Sequence, residues 1–184
     1  MRFTKTVNSL VVKQSARTLY TQIVAQARRK EFYTAGGVPD TLDGRFEMLA
    51  LHAFLVLYRL KRLDADELAQ ALFDMMFADM DENLREIGVG DLSVGKRVKR
   101  MVSAFYGRVV AYETGLHSEE AGVLEAALAR NLYGTVEARP EALGAMAAYL
   151  RREAAALEEQ DAAAMNAGTV SFGPPPDLES ARQE

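Results

Sequence analysis

Residues 88–97, GVGDLSVGKR, carry the ingredients of a phosphate loop. Gly90, Gly95 and Lys96 match G-x-x-x-x-G-K-[ST], but Arg97 stands where a hydroxyl would ligate magnesium. Such a loop works because a buried apolar strand feeds a glycine turn whose N–H groups converge on the phosphates. Here the preceding ADMDENLREI is acidic and helical in pattern, and Asp91 inside the turn repels a triphosphate. The match is accidental. Overlapping it, Asp79, Asp81 and Asn83 hold the first, third and fifth positions of a calcium loop. Leu84 then replaces the glycine of the sharp turn, and Gly90 replaces the final bidentate glutamate.

Other chemistries fail by inventory. There is no cysteine, and the two histidines, His52 and His117, belong to no Glu-x-x-His motif. Zinc has too few ligands. A nucleophile elbow around Ser93 needs glycine at 91, where Asp91 stands. No catalytic residue, metal or cofactor is expected, and the enzyme class is set aside.

The elements that must position the remaining residues are helices. The 184 residues suit one domain, and the hydrophobic fraction of 49% is that of a globular protein. Residues 1–15 form a basic segment, and residues 1–30 carry seven basic side chains and no acid within a chain of net charge −4. The most apolar run, Met48–Tyr58, is too short to span a membrane and contains His52, so the chain reads as soluble.

The spacing predicts a first helix over 16–30, a loop over 32–44 and a second helix over 45–62 that is apolar almost all round. A third helix is expected to start on Asp64 as N-cap with Glu67 completing a capping box, and to run to Glu86. Ser93 is expected to cap a fourth helix over 94–114, and a fifth spans 118–132. Pro140 opens a sixth. The expectation is an all-α, single-domain bundle of about six helices over 16–165, followed by a disordered tail over 166–184 with three consecutive prolines.

Two features outlast these subtractions. Asp79, Asp81, Glu82 and Glu86 crowd the carboxyl end of the third helix, and Lys96, Arg97, Lys99 and Arg100 the amino end of the fourth, each group opposing its own helix dipole. Ion pairing across the hairpin is one explanation, and a charged surface for a partner is the other. The third helix also carries two apolar stripes, Leu68, Leu72 and Met75, and then Ala69, Phe73, Met76, Phe77, Met80 and Leu84. Either both are buried between neighbours, or the second lines an open groove for an apolar client.

Several tracts, VPDTLDGRFEMLALHAFLVLYRL, LAQALFDMMFADMDENLREIGVGDLSVGKRVKRM and AFYGRVVAY, occur in order. They closely resemble the ubiquinol–cytochrome c chaperone family, assembly factors for respiratory complex III, over about residues 19–115. The resemblance implies a non-enzymatic all-α chaperone that binds newly made, apo cytochrome b before haem loading. It also implies partners seen with mitochondrial members, a small partner subunit and the ribosome exit, together with peripheral membrane contact and no specific nucleic acid recognition. Without the long amino-terminal extension of those members, the chain resembles a bacterial relative, placed in the cytoplasm or at the inner face of the inner membrane.

Carried over onto this sequence, the family positions divide in two. Asp40, Asp43, Arg45, His52, Asp74, Phe105, Tyr106, Arg108 and Tyr112 are expected to be structural. Phe73, Met76, Met80, Lys99 and Arg100, read from the helix pattern itself, join the family positions Phe77, Asp79, Asp81, Arg85, Glu86, Asp91 and Lys96 as the expected client or partner surface. The competing reading is a helical scaffold that recruits a partner through the 79–100 charge hairpin.

Overall fold

The computed structural model describes the backbone of residues 2–176 and the side chains from residue 9 onward. Within those residues all regular structure is helical: α1 (Arg2–Ala27), α2 (Glu31–Thr34), α3 (Leu42–Arg62), α4 (Asp66–Glu86), α5 (Asp91–His117), α6 (Val123–Asn131), α7 (Pro140–Glu159) and α8 (Ala162–Asn166). Six are long and two are single-turn pieces, so the all-α bundle of about six helices is what forms.

α3 is the axis of the bundle. Every residue from Met48 to Val56 is buried, and α1, α4, α5 and α7 all pack on it. A helix with no polar face has to be wrapped on all sides, and this one is. Its start lies inside the stretch expected as loop, because Thr41 accepts a hydrogen bond from the Gly44 backbone N–H at 3.1 Å and so caps the first turn.

The α3–α4 corner departs from expectation. Asp64 does not cap α4; it sits in the left-handed region at φ 52° just past the end of α3. The Ala65 N–H reaches the Leu60 carbonyl at 3.0 Å and the Asp64 N–H reaches Lys61 at 3.2 Å, the paired bonds of a Schellman turn. The residue that looked like a helix start is a helix stop, and aspartate tolerates the position because its short side chain is among the few accepted at positive φ. α4 then begins from Ala65 with no side-chain cap.

Other boundaries also move. α1 extends back to Arg2, so the basic 1–15 segment continues into the first helix. Of its charges, Lys13 is exposed, while Arg2 and Lys5 lie outside the described side chains. α5 starts from Gly90, not Ser93, which falls in the first turn with its N–H on the Gly90 carbonyl at 2.7 Å. The expected fifth helix over 118–132 shrinks to α6, since Ser118 ends α5 in extended conformation.

The tail expectation is corrected over part of its length. After α8, residues 168–176 have no regular structure yet lie as a strap against α1 and α7. The Gln22 side chain donates to the Gly168 carbonyl at 2.8 Å and accepts from the Val170 N–H at 3.0 Å. Gln26 donates to the Gly173 carbonyl, and the Gly173 N–H donates to Glu153, both at 2.8 Å. Val170 is buried, and the Phe172 ring meets His52 edge-on at 5.3 Å. The alternating Thr169-Val170-Ser171-Phe172 pattern is the signal that such a strap can bury one side. Gly168 makes the approach possible: its φ is 97°, and a Cβ there would stand 2.9 Å from the Ser15 Cα. Residues 177–184 of the expected tail lie outside the described residues.

Two glycines of helical segments separate cleanly. A Cβ on Gly44 would fall 1.9 Å from the Pro39 carbonyl oxygen, so Gly44→Ala must push the α3 entry turn aside. A loss of about 1–3 kcal/mol in urea unfolding is expected. Gly95, the would-be phosphate-loop glycine, faces open space inside α5. Gly95→Ala is expected to stabilise by about 0.5–1 kcal/mol in the same measurement.

Candidate functional site

The expected apolar groove on α4 is not there. Met76 is 1% exposed and Phe77 6%, and both belong to the core. α4 packs against α1, α3 and α5 together, so both of its stripes have neighbours to bury them. Phe73 and Met80 are half-buried at the edge of the core, as are Ala69 and Met75.

The charges around the α4–α5 turn also arrange themselves differently from the cross-hairpin neutralisation considered above. Arg85 holds Asp81 at 2.7 Å within α4 and also contacts Asp91 at the start of α5, so the one pair crossing the turn has its base on α4. Asp79 is committed to the fold, accepting from the Tyr20 hydroxyl at 2.7 Å and from Asn83 at 2.9 Å. Burial, reinforced by that carboxylate, pushes the Tyr20 hydroxyl pKa up. Among the described residues Glu86, Lys96, Lys99 and Arg100 form no ion pair and are exposed. No group of three acids, histidines or cysteines in the described residues is placed to hold a metal ion.

The positions expected to be structural fall partly inside the bundle and partly on its rim. Arg45 pairs with Asp40 at 2.6 Å, Asp74 accepts from Gln70 at 2.7 Å, and Asp43 lies in the first turn of α3. Phe105 and Tyr112 are buried on α5, and His52 is buried on α3. Arg108 reaches Glu47 across α3 and α5 through two hydrogen bonds. Glu47 was not singled out from the sequence, although it follows Arg45 within the same tract.

Tyr106 differs from the buried Phe105 and Tyr112 of the same helix. It is 57% exposed, and it lies on a face of α5 with Leu92, Lys96, Lys99, Ser103 and Val110. The spacing alternates four and three, so these six residues form one stripe along the helix. Leu92 is 95% exposed and Val110 65%. Among the described residues no neighbouring element covers Leu92, Tyr106 or Val110. The Tyr106 ring is backed by Phe73 at 5.6 Å and Phe105 at 6.5 Å, which fixes it in place while leaving its outer side open. Leu92 and Val110 were missed, although reading the stripe from Tyr106 in both directions finds them.

The neighbouring face of α5 looks into a cleft of about 480 Å³ between α3, α5 and α6. Arg97, Arg100, Met101, Ala104 and Arg108 line it from α5, and Phe46 and Glu47 from α3. The tracts DTLDGRFEML and FYGR, distant in sequence, therefore meet here.

Fold and site together define an all-helical bundle that presents two surfaces on one long helix, an apolar stripe studded with lysines and an arginine-lined cleft. A family model described as ubiquinol-cytochrome C chaperone matches residues 34–172. The crystal structure of the Cbp3 homolog from Brucella abortus superposes with a TM-score of 0.80 at 39% identity, covering 97% of this chain and 98% of that one. The chain belongs to the ubiquinol–cytochrome c chaperone family.

Ubiquinol-cytochrome-c reductase complex assembly factor 1 of Xenopus laevis is 26% identical over 84% of this chain and 78% of the frog protein. The human relative of that name is 26% identical over 89% of this chain, which spans 55% of the human protein. This chain thus covers about half the length of the human relative. Among the described residues no helix is long and apolar enough to cross a membrane.

Proposed function

We propose that this protein is an assembly chaperone for ubiquinol–cytochrome c reductase that holds newly made cytochrome b against the outer face of α5. The observation that carries the reading is the stripe of Leu92, Tyr106 and Val110, three large side chains more than half exposed along one face of α5. Apolar side chains kept in water cost free energy that a client's apolar segment recovers on contact. Lys96 and Lys99 inside the stripe keep the surface from associating with itself and favour a client with acidic or carbonyl groups between its apolar residues. Phe73 borders this surface through its ring contact with Tyr106. Met76, Phe77 and Asp79 serve the fold beneath it. The reading assigns no catalytic step, and it places the protein in the cytoplasm or at the inner face of the inner membrane.

Tyr106→Ser with Val110→Ser tests this. Both side chains are more than half exposed, so the melting temperature is expected to change little. Cross-linking to newly made cytochrome b is expected to fall about tenfold, as removal of two interface anchors does. The opposite pattern favours a scaffold. If Lys99→Glu with Arg100→Glu abolishes partner recovery while the serine pair leaves it intact, the charge hairpin recruits the partner and the apolar stripe does not hold it.

A further inference from the structure

The cleft between α3, α5 and α6 has a feature that polypeptide holding on the outer face of α5 does not use. Arg97 and Arg100 open onto it from α5, and Arg130 opens onto it from the end of α6. Among the described residues none of the three forms an ion pair or a side-chain hydrogen bond. Arg108, the fourth arginine, is held by Glu47. Asp43 is the one other carboxylate on the lining, so an excess of positive charge remains in a chain whose net charge is −4. Arg97 and Arg100 stand one turn apart, where like charges repel. Among the described residues neither arginine has an ion-pair partner that offsets that repulsion.

We propose that this cleft seats the phosphodiester headgroup of an anionic lipid. Guanidinium groups arriving from two helices can donate several N–H bonds to one phosphate, for which their planar forks are suited. The first turn of α3, with Asp43 and Gly44 on the lining, adds the positive end of its dipole. Phe46, Met101, Ala104 and Leu132 give the wall an apolar part beside the polar Asn131 and Thr135, and accommodate the carbon atoms attached to the phosphate. Leu92 lies less than two turns before Arg97 on the same helix and is 95% exposed, and Ile87 in the adjoining turn is exposed as well. Basic groups at the headgroup level beside apolar side chains at the acyl boundary are the pattern of a surface that lies on a membrane. The acids of α4, Glu82 and Glu86, do not line the cleft.

The test is flotation of the whole chain with phosphatidylcholine vesicles, with and without phosphatidylglycerol. Vesicles contain no client protein, so the outcome is independent of the chaperone reading. Binding is expected only with the anionic lipid. Arg100→Gln with Arg130→Gln is expected to weaken it about 20-fold, since each basic group near such a surface contributes about a factor of five. Lys99→Gln, on the outer face and off the cleft, changes it less than about twofold if the cleft and not overall charge is responsible. Equal loss in the Lys99→Gln variant, or equal binding to both vesicles, overturns the proposal. So does a rise in melting temperature with inorganic phosphate that needs Arg100 and Arg130 but comes without vesicle binding, which would make the ligand a free phosphate.

Discussion

Acidification from about pH 6.5 to pH 4 is expected to remove about 3 kcal/mol of folding stability through His52 alone. The ring is fully buried. Its Nδ1 lies 2.8 Å from the Met48 carbonyl and its Nε2 lies 2.7 Å from the Tyr149 hydroxyl. A carbonyl can only accept, so Nδ1 carries the hydrogen and Nε2 accepts from Tyr149. Tyr149 in turn accepts from Gln26 at 2.9 Å. The chain is satisfied only with a neutral imidazole. Burial lowers the His52 pKa from 6.5 to about 4, against the Met48 carbonyl, which favours the charged form. Since the folded pKa lies below the unfolded one, the unfolded chain binds the extra proton. Stability is therefore complete above pH 6.5 and falls as the pH drops toward 4. Urea unfolding at both ends of this window, repeated with His52→Leu, isolates the effect. The variant is less stable at neutral pH but should lose about 3 kcal/mol less on acidification; equal losses in the two proteins would refute the assignment.

Arg108→Ala is expected to cost about 3–5 kcal/mol, because it leaves the Glu47 carboxylate buried without its partner. Both side chains are mostly buried, and the contact is bidentate, with the Arg108 Nε 2.5 Å from a Glu47 oxygen. Burial already pushes the Glu47 pKa up, and Arg108 is what opposes the shift. Without Arg108 the carboxyl becomes harder still to ionise. Glu47→Leu combined with Arg108→Met should cost much less than the two single changes added together. A double-mutant cycle by denaturant unfolding reads the coupling directly. Asp40 and Arg45, both more than half exposed, should show almost no coupling in the same cycle.

The helices were legible because their cause is local. The unbroken apolar run of α3 fixed its central place before any contact was known, and Pro140 marked the start of α7. Asp64 misled because an aspartate before a helix and an aspartate closing one look alike, and only the backbone angle separates them. The site was less legible. Met76 and Phe77 look like surplus on a helix imagined to have one neighbour, and α4 has three. Leu92 and Val110 look ordinary in sequence, and only the absence of a covering helix gives them meaning. The arginine cleft needed Arg100 and Arg130, thirty residues apart, to be placed around one opening.

The strap over residues 168–176 bears on how the molecule is made. Gln22 and Gln26 receive their partners at Gly168 and Gly173, 146 and 147 positions later in the chain. Until those residues emerge, one of the two bonds of the Gln26 amide and one edge of His52 stay open, and the closing loop spans 147 positions. The bundle therefore locks in one late event, so a truncated translation product is left unlatched and exposed to proteases.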